Sequence, residues 1–218
     1  MAAGWRRGRG LLYSFRNKGK NMSANAPTYS ANEAACITGV PLKQVHRIID
    51  AGLLESAAAE GRHARAVHGG GLVGLKLAHE TAGVLTRDGR RCLLRCLLDH
   101  PDANTARAGG VSVDLRPMRN QVRQGLSRLA RARAAISCDA AVLSGTPCIK
   151  GTRIPAHDIA EMRANGDSVQ AVREAFPQLS EDRIELAVLY ARAYPRRGRP
   201  KRRPLRRVDQ GETQRRSG

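Results

Sequence analysis

Lys150 stands between two Gly-Thr steps in "GTPCIKGTRIPAHDIAEM", which runs from Gly145 to Met162. Glycine, threonine and a lysine are the raw material of a phosphate-cradling loop, because glycine lets backbone amides converge and lysine adds charge. The spacing argues against that chemistry here. Pro147 and Pro155 each remove an amide, and no acidic residue is placed for magnesium. Nothing nearby assembles a nucleophile, a base and an orienting group. Ile149 and Ile154 read as inward-facing, so "CIKGTRIP" is expected to be a tight extended hairpin or turn whose isoleucines dock on the helices that follow. No catalytic residue is expected, and the chain does not read as an enzyme.

A second set of chemically capable residues is Cys92, Cys96 and His100 in "RRCLLRCLLDH". Four-residue steps put them on one helical face, where a metal is conceivable. The surrounding leucines point instead to buried thiols. No metal or cofactor is expected. Five cysteines with no paired spacing suit a reducing compartment, so a cytoplasmic location is expected. Three glycines, Gly69 to Gly71, are not followed by Gly-Lys-Ser/Thr and do not form a nucleotide loop.

The third set is cationic. The 218 residues carry a formal charge of +19. Of 38 basic residues, six lie before Asn32 and ten after Tyr194, while the body between holds 22 basic against 17 acidic residues. Basic arms on a mildly basic body suit a polyanion, most simply nucleic acid. No run of about 20 apolar residues exists, so no membrane span is expected. Met22 opens "MSANAPTYS" and offers a second start close to the first ordered segment.

The elements that must position these charges begin at Tyr29. Ser30 and Glu33 have the spacing of a capping box, and Ala34, Ala35 and Ile37 follow on one helix. Gly39 permits a sharp turn, and Pro41 suits the start of a second helix that turns Val45, Ile48 and Ile49 inward and ends at Gly52. Helix, tight turn, helix is the layout of a DNA-reading motif. Its second helix offers Lys43, Gln44, His46 and Arg47 to base edges or phosphates. The segment resembles the winged helix-turn-helix of MerR-like regulators and excisionases. That resemblance implies a wing within "ESAAAEGRHARAVHGG", with Arg62 and Arg65 near a DNA backbone.

Leu72 to Leu77 fits either a strand or the first turns of a helix, with helix preferred, and Thr86 caps a further helix with a ridge of Leu93, Leu94, Leu97 and Leu98. Val111, Val113 and Leu115 alternate as a short strand. Pro117 opens a long basic helix with a stripe of Met118, Val122, Leu126, Leu129 and Ile136. It is expected to connect or dimerise, or else to lie along DNA. Three short helices close the body, from about Ala156 to Ala164, after the cap Ser168, and after the cap Ser180, as a homeodomain-like bundle. Its last helix turns Ile184, Ala187, Val188 and Ala191 inward. Glu181 and Asp182 at its start favour the helix dipole but repel phosphate, so protein contact is at least as good a role for this bundle.

From Asp139 to Pro195 the chain resembles a small bacterial domain family of unknown function. Gly145, Pro147, Ile149, Gly151, Thr152, Arg153, Ile154, Pro155, Gly166, Ser168, Ala187 and Tyr190 match its pattern, while Ala140, Ser144 and Ala156 depart from it mildly. Proteins that pair this domain with a MerR-like motif resemble VapB-class antitoxins. The resemblance implies a PIN-domain ribonuclease toxin as partner, its occlusion by this chain and repression of the shared operon; Arg153 or the tail arginines are candidates to enter the toxin's site, since a carboxylate-lined cleft attracts a cation. A regulator without a toxin partner is the alternative.

The tail contributes "PRRGRPKRRP", in which Arg197, Gly198, Arg199 and Pro200 resemble an AT-hook core, followed by Lys201. Glycine lets such a backbone lie deep in the minor groove, and the arginines reach its negative potential. General phosphate binding is the simpler use of the same charge. The expected protein is mainly α. It comprises a basic flexible arm (1–28), a winged helix-turn-helix (29–68), a helical connector or dimerisation region (69–137), a three-helix domain (138–194) and a basic disordered tail (195–218). Double-stranded DNA, a toxin and a second copy of the chain are its expected partners.

Overall fold

The computed structural model describes residues 27–54 and 66–196. The chain is mainly helical and divides after Ala130 into two compact units.

In the first unit, a short strand β1 (Thr28–Ser30) leads into α1 (Ala31–Thr38). The expected capping box is formed: the Glu33 amide donates to Ser30 Oγ at 3.3 Å, and the Ser30 amide donates to Glu33 Oε2 at 2.8 Å. Gly39 ends the helix at φ +72°, its amide bonded to Ala35 O at 2.9 Å. That left-handed backbone needs no Cβ and reverses the chain within Gly39, Val40 and Pro41. Helix α2 (Leu42–Asp50) follows and stops at Gly52, again at positive φ.

Strand β2 (Ala66–His68) returns to pair antiparallel with β1, Tyr29 opposite Val67. Helix α3 (Gly71–Glu80) packs on α1 and α2, with Leu72, Leu75 and Leu77 fully buried. Burial of each such leucine stabilises the unit by roughly 1.5–3 kcal/mol. Helix α4 (Arg87–Asp99), capped by Thr86, lays Leu93, Leu94 and Leu97 on this core. Leu98, expected in the same ridge, is exposed. The expected strand is one arm of a hairpin, β3 (Thr105–Ala108) with β4 (Val111–Asp114).

Helix α5 (Arg116–Ala134) buries Met118, Val122 and Leu129, three of the five stripe residues expected for it. Ile136 does not belong to that stripe, because the helix has already ended and Ile136 lies in a strand. Gly125 has a packing reason the sequence did not reveal. A Cβ built there would overlap the Ile37 carbonyl oxygen and lie 2.7 Å from its carbon, so α5 rests directly on the α1 backbone.

The second unit opens with β5 (Ile136–Ser137), paired antiparallel with β6 (Cys148–Ile149). Helices α6 (Ala156–Ala164), α7 (Val169–Ala175) and α8 (Glu181–Ala193) complete it. Ser168 and Ser180 cap α7 and α8 as expected, accepting from Ala171 N and Arg183 N. Ile149, Ile154, Ile159, Val172, Leu179 and Ile184 form the core, so both turn isoleucines dock on the helices.

Candidate nucleic-acid interface

Helix α2 is amphipathic because its apolar and polar residues alternate with the helical period. Val45 and Ile48 are buried against the unit, while Lys43 and Arg47 are exposed one turn apart, about 6 Å along the axis. Gln44 is half-buried beside them. His46 is also half-buried, and its Nδ1 is enclosed without a hydrogen-bond partner, so it is less fully presented than a surface contact residue. The fold thus gathers Lys43, Gln44 and Arg47 at one edge of α2. Arg62 and Arg65, expected in a wing, lie outside the described residues, as do Arg197, Gly198, Arg199 and Lys201 of the tail.

A feature that sequence reasoning does not reach adjoins this edge. Gln44, Arg47 and Ile48 of α2 line an open cleft of about 270 Å³ with His79 near the end of α3 and Arg87 and Arg90 of α4. Arg87 donates to Ala51 O at the end of α2, and Arg90 Nη1 donates to Ala78 O at 3.5 Å. No carboxylate lines the cleft among the described residues. Arg87 and Arg90 share the first turns of α4, but no local spacing ties them to Arg47; only the packing of α2, α3 and α4 does.

Arg153 is exposed on the turn of the second unit. Five amides of the turn region are bonded within the second unit. Ile149 N donates to Ile154 O at 2.9 Å, Lys150 N to Ala135 O at 2.9 Å, Thr152 N to Ile149 O at 3.0 Å and Ala156 N to Pro147 O at 2.9 Å. Ile154 N meets Thr152 Oγ1 at 3.2 Å. An anion would find these five donors already taken. Gly151, at φ +77°, makes the reversal possible.

Three arginines of α5 are committed to neighbouring groups of the fold. Arg131 holds Asp182 at 2.7 Å, so one of the two acids at the start of α8 is paired. Arg133 lies 5.6 Å over the Tyr194 ring and donates to its hydroxyl. Arg119 Nη2 donates to Ala103 O at 2.9 Å. The thiols also differ from expectation: Cys92 is exposed and Cys96 half-buried, because the leucines turn inward and leave Cys92 at the rim. Cys96 Sγ accepts from Arg107 N at 3.5 Å. Among the described residues no group of three or more His, Cys, Asp or Glu could hold a metal ion, and no helix is long and apolar enough to cross a membrane.

Residues 136–191 match a family described as a protein of unknown function, DUF433. No solved structure matches the chain. It is 32% identical over 196 residues to the uncharacterised protein y4eO of Sinorhizobium fredii, an alignment that covers 82% of this chain and 87% of the relative. Spanning both units at that identity, the alignment shows that the chain belongs to the same family as y4eO.

Proposed function

We propose that this chain is a DNA-binding regulator that serves as the antitoxin of a ribonuclease pair, acting by binding rather than by catalysis. The observation that carries the DNA half is the α1–turn–α2 arrangement, with Gly39 at positive φ and Lys43 and Arg47 exposed on the second helix. In this reading α2 enters the major groove, Lys43 contacts phosphate, and Gln44 and Arg47 read base edges. The segment holding Arg62 and Arg65 acts as a wing, and the tail around Arg197–Lys201 adds affinity through phosphates or the minor groove. Repression of its own operon as a cytoplasmic homodimer completes the reading.

The antitoxin half rests on the likeness of the two-part organisation to VapB-class proteins. The second unit would hold a PIN-domain ribonuclease, with Arg153 as the cation offered to a carboxylate-lined site. A regulator with the same DNA contacts and no toxin is the alternative.

Both halves are testable together. Fluorescence anisotropy with DNA from upstream of the gene should show binding tighter than to random DNA. Lys43→Ala should weaken both nearly equally. Arg47→Ala should cost about 1–3 kcal/mol on the upstream DNA and relax its discrimination. Co-expression with the product of the adjacent gene should yield a salt-resistant complex that silences RNA cleavage. Absence of that complex, with upstream DNA binding intact, would leave the regulator without a toxin.

A further inference from the structure

The cleft beside α2 collects more positive charge than the fold compensates. Arg47, Arg87 and Arg90 line it with His79 and Gln44, and no carboxylate among the described residues does so. Each guanidinium carries five N–H donors in a rigid fork. Within the fold, Arg87 donates to the carbonyl oxygen of Ala51, and Arg90 Nη1 makes a long contact of 3.5 Å with Ala78 O. Arg90 Nε is enclosed without any hydrogen-bond partner. An enclosed, unpaired donor of this kind costs free energy, and the Nη atoms carry the other donors of the same guanidinium. The polar residues are donors or can act as donors, and the positive charges repel one another across an open, concave space.

We propose that this cleft is a binding site for a phosphate-type oxyanion, clamped by Arg47, Arg87 and Arg90. The volume of about 270 Å³ admits the phosphate together with part of the group that bears it. Two sources share this chemistry: a backbone phosphate of bound DNA, or the phosphate of a small metabolite. Arg47 belongs to both the cleft and the exposed edge of α2. A small phosphorylated ligand in the cleft therefore draws on a side chain that the proposed DNA contact also uses, and the two would compete.

The test uses the full chain without DNA, titrated calorimetrically with inorganic pyrophosphate at constant ionic strength. Arg87→Gln and Arg90→Gln are compared with the unaltered protein, since all three carry the same Arg-rich termini. Saturable binding weakened at least about tenfold by each substitution is the expected result. Arg87 is exposed, so its variant guards against loss of folding, with helix content followed by circular dichroism. Equal pyrophosphate affinity in all three proteins would place the anion on the termini and overturn the proposal.

The source is then read from the salt dependence of DNA binding. A slope reduced by about one unit in Arg87→Gln identifies a DNA backbone phosphate. An unchanged slope, with DNA displaced by pyrophosphate, identifies a small-molecule site. Failure of the chain to bind DNA at all would sink the regulator reading and leave the calorimetric result standing.

Discussion

Cys148 is 1% exposed and lies beneath the turn that carries Arg153. Burial pushes its thiol above the ordinary range, the neighbouring Cys138 and Asp158 add to the effect, and Arg153 opposes it. A thiol held protonated is a poor nucleophile. Iodoacetamide at neutral pH should therefore modify the exposed Cys92 and Cys138 first and reach Cys148 only when the second unit unfolds. Mass spectrometry of time points in native buffer and in denaturant would check the order. Tyr190 behaves alike: burial raises its hydroxyl above the usual value, and the Cys138 thiol beside it adds to the shift. At this scale the sequence was legible in part. Ile149 and Ile154 declared themselves as inward by their place between glycine and proline. The exposure of Cys92 did not, because a helix surrounded by leucines shows which residues are apolar but not where its rim falls.

Helix caps and helix packing make opposite demands on sequence reading. The box of Ser30 and Glu33 is local, so three-residue spacing sufficed to find it. Ser30→Ala should destabilise the first unit by about 1 kcal/mol, measured by urea unfolding. Gly125 is the converse. In isolation it looks like a helix-weakening residue that alanine would improve by up to about 1 kcal/mol. Against the Ile37 backbone, the added methyl has nowhere to go, and a carbonyl cannot swing aside as a flexible side chain can. Gly125→Ala should therefore cost about 1–3 kcal/mol net, seen as a lower urea midpoint with unchanged slope. Gain in stability would mean that α5 does not press on α1. The cleft at α2 escapes sequence reading for the same reason: Arg47 and Arg87 meet through tertiary packing, on which periodicity is silent. The end of α5 is equally hard to read, because Ile136 continues the apolar rhythm of a helix while belonging to the next strand.

Net charge governs the behaviour of the chain as a whole. With ten basic residues after Tyr194, DNA affinity should fall steeply with salt. Removing residues 197–218 should flatten a plot of log affinity against log salt by roughly 0.9 unit for each DNA phosphate that the tail neutralises. An unchanged slope would assign the tail no role at the phosphates. The charge distribution and the helical character were legible in composition and pattern. The position of the division was not, since it falls inside a continuous helix. That placement bears on inheritance. The matched domain begins at Ile136, just beyond α5, yet Asp182 within it is paired with Arg131 on that helix, and Lys150 N bonds to Ala135 O. A genetic exchange that cuts at the border of the domain delivers Asp182 without Arg131, whereas any residue placed before Ile136 still brings a backbone carbonyl for Lys150 N. Exchanges that carry the last turn of α5 along deliver the ion pair intact, so the structural unit reaches further forward than the recurring pattern.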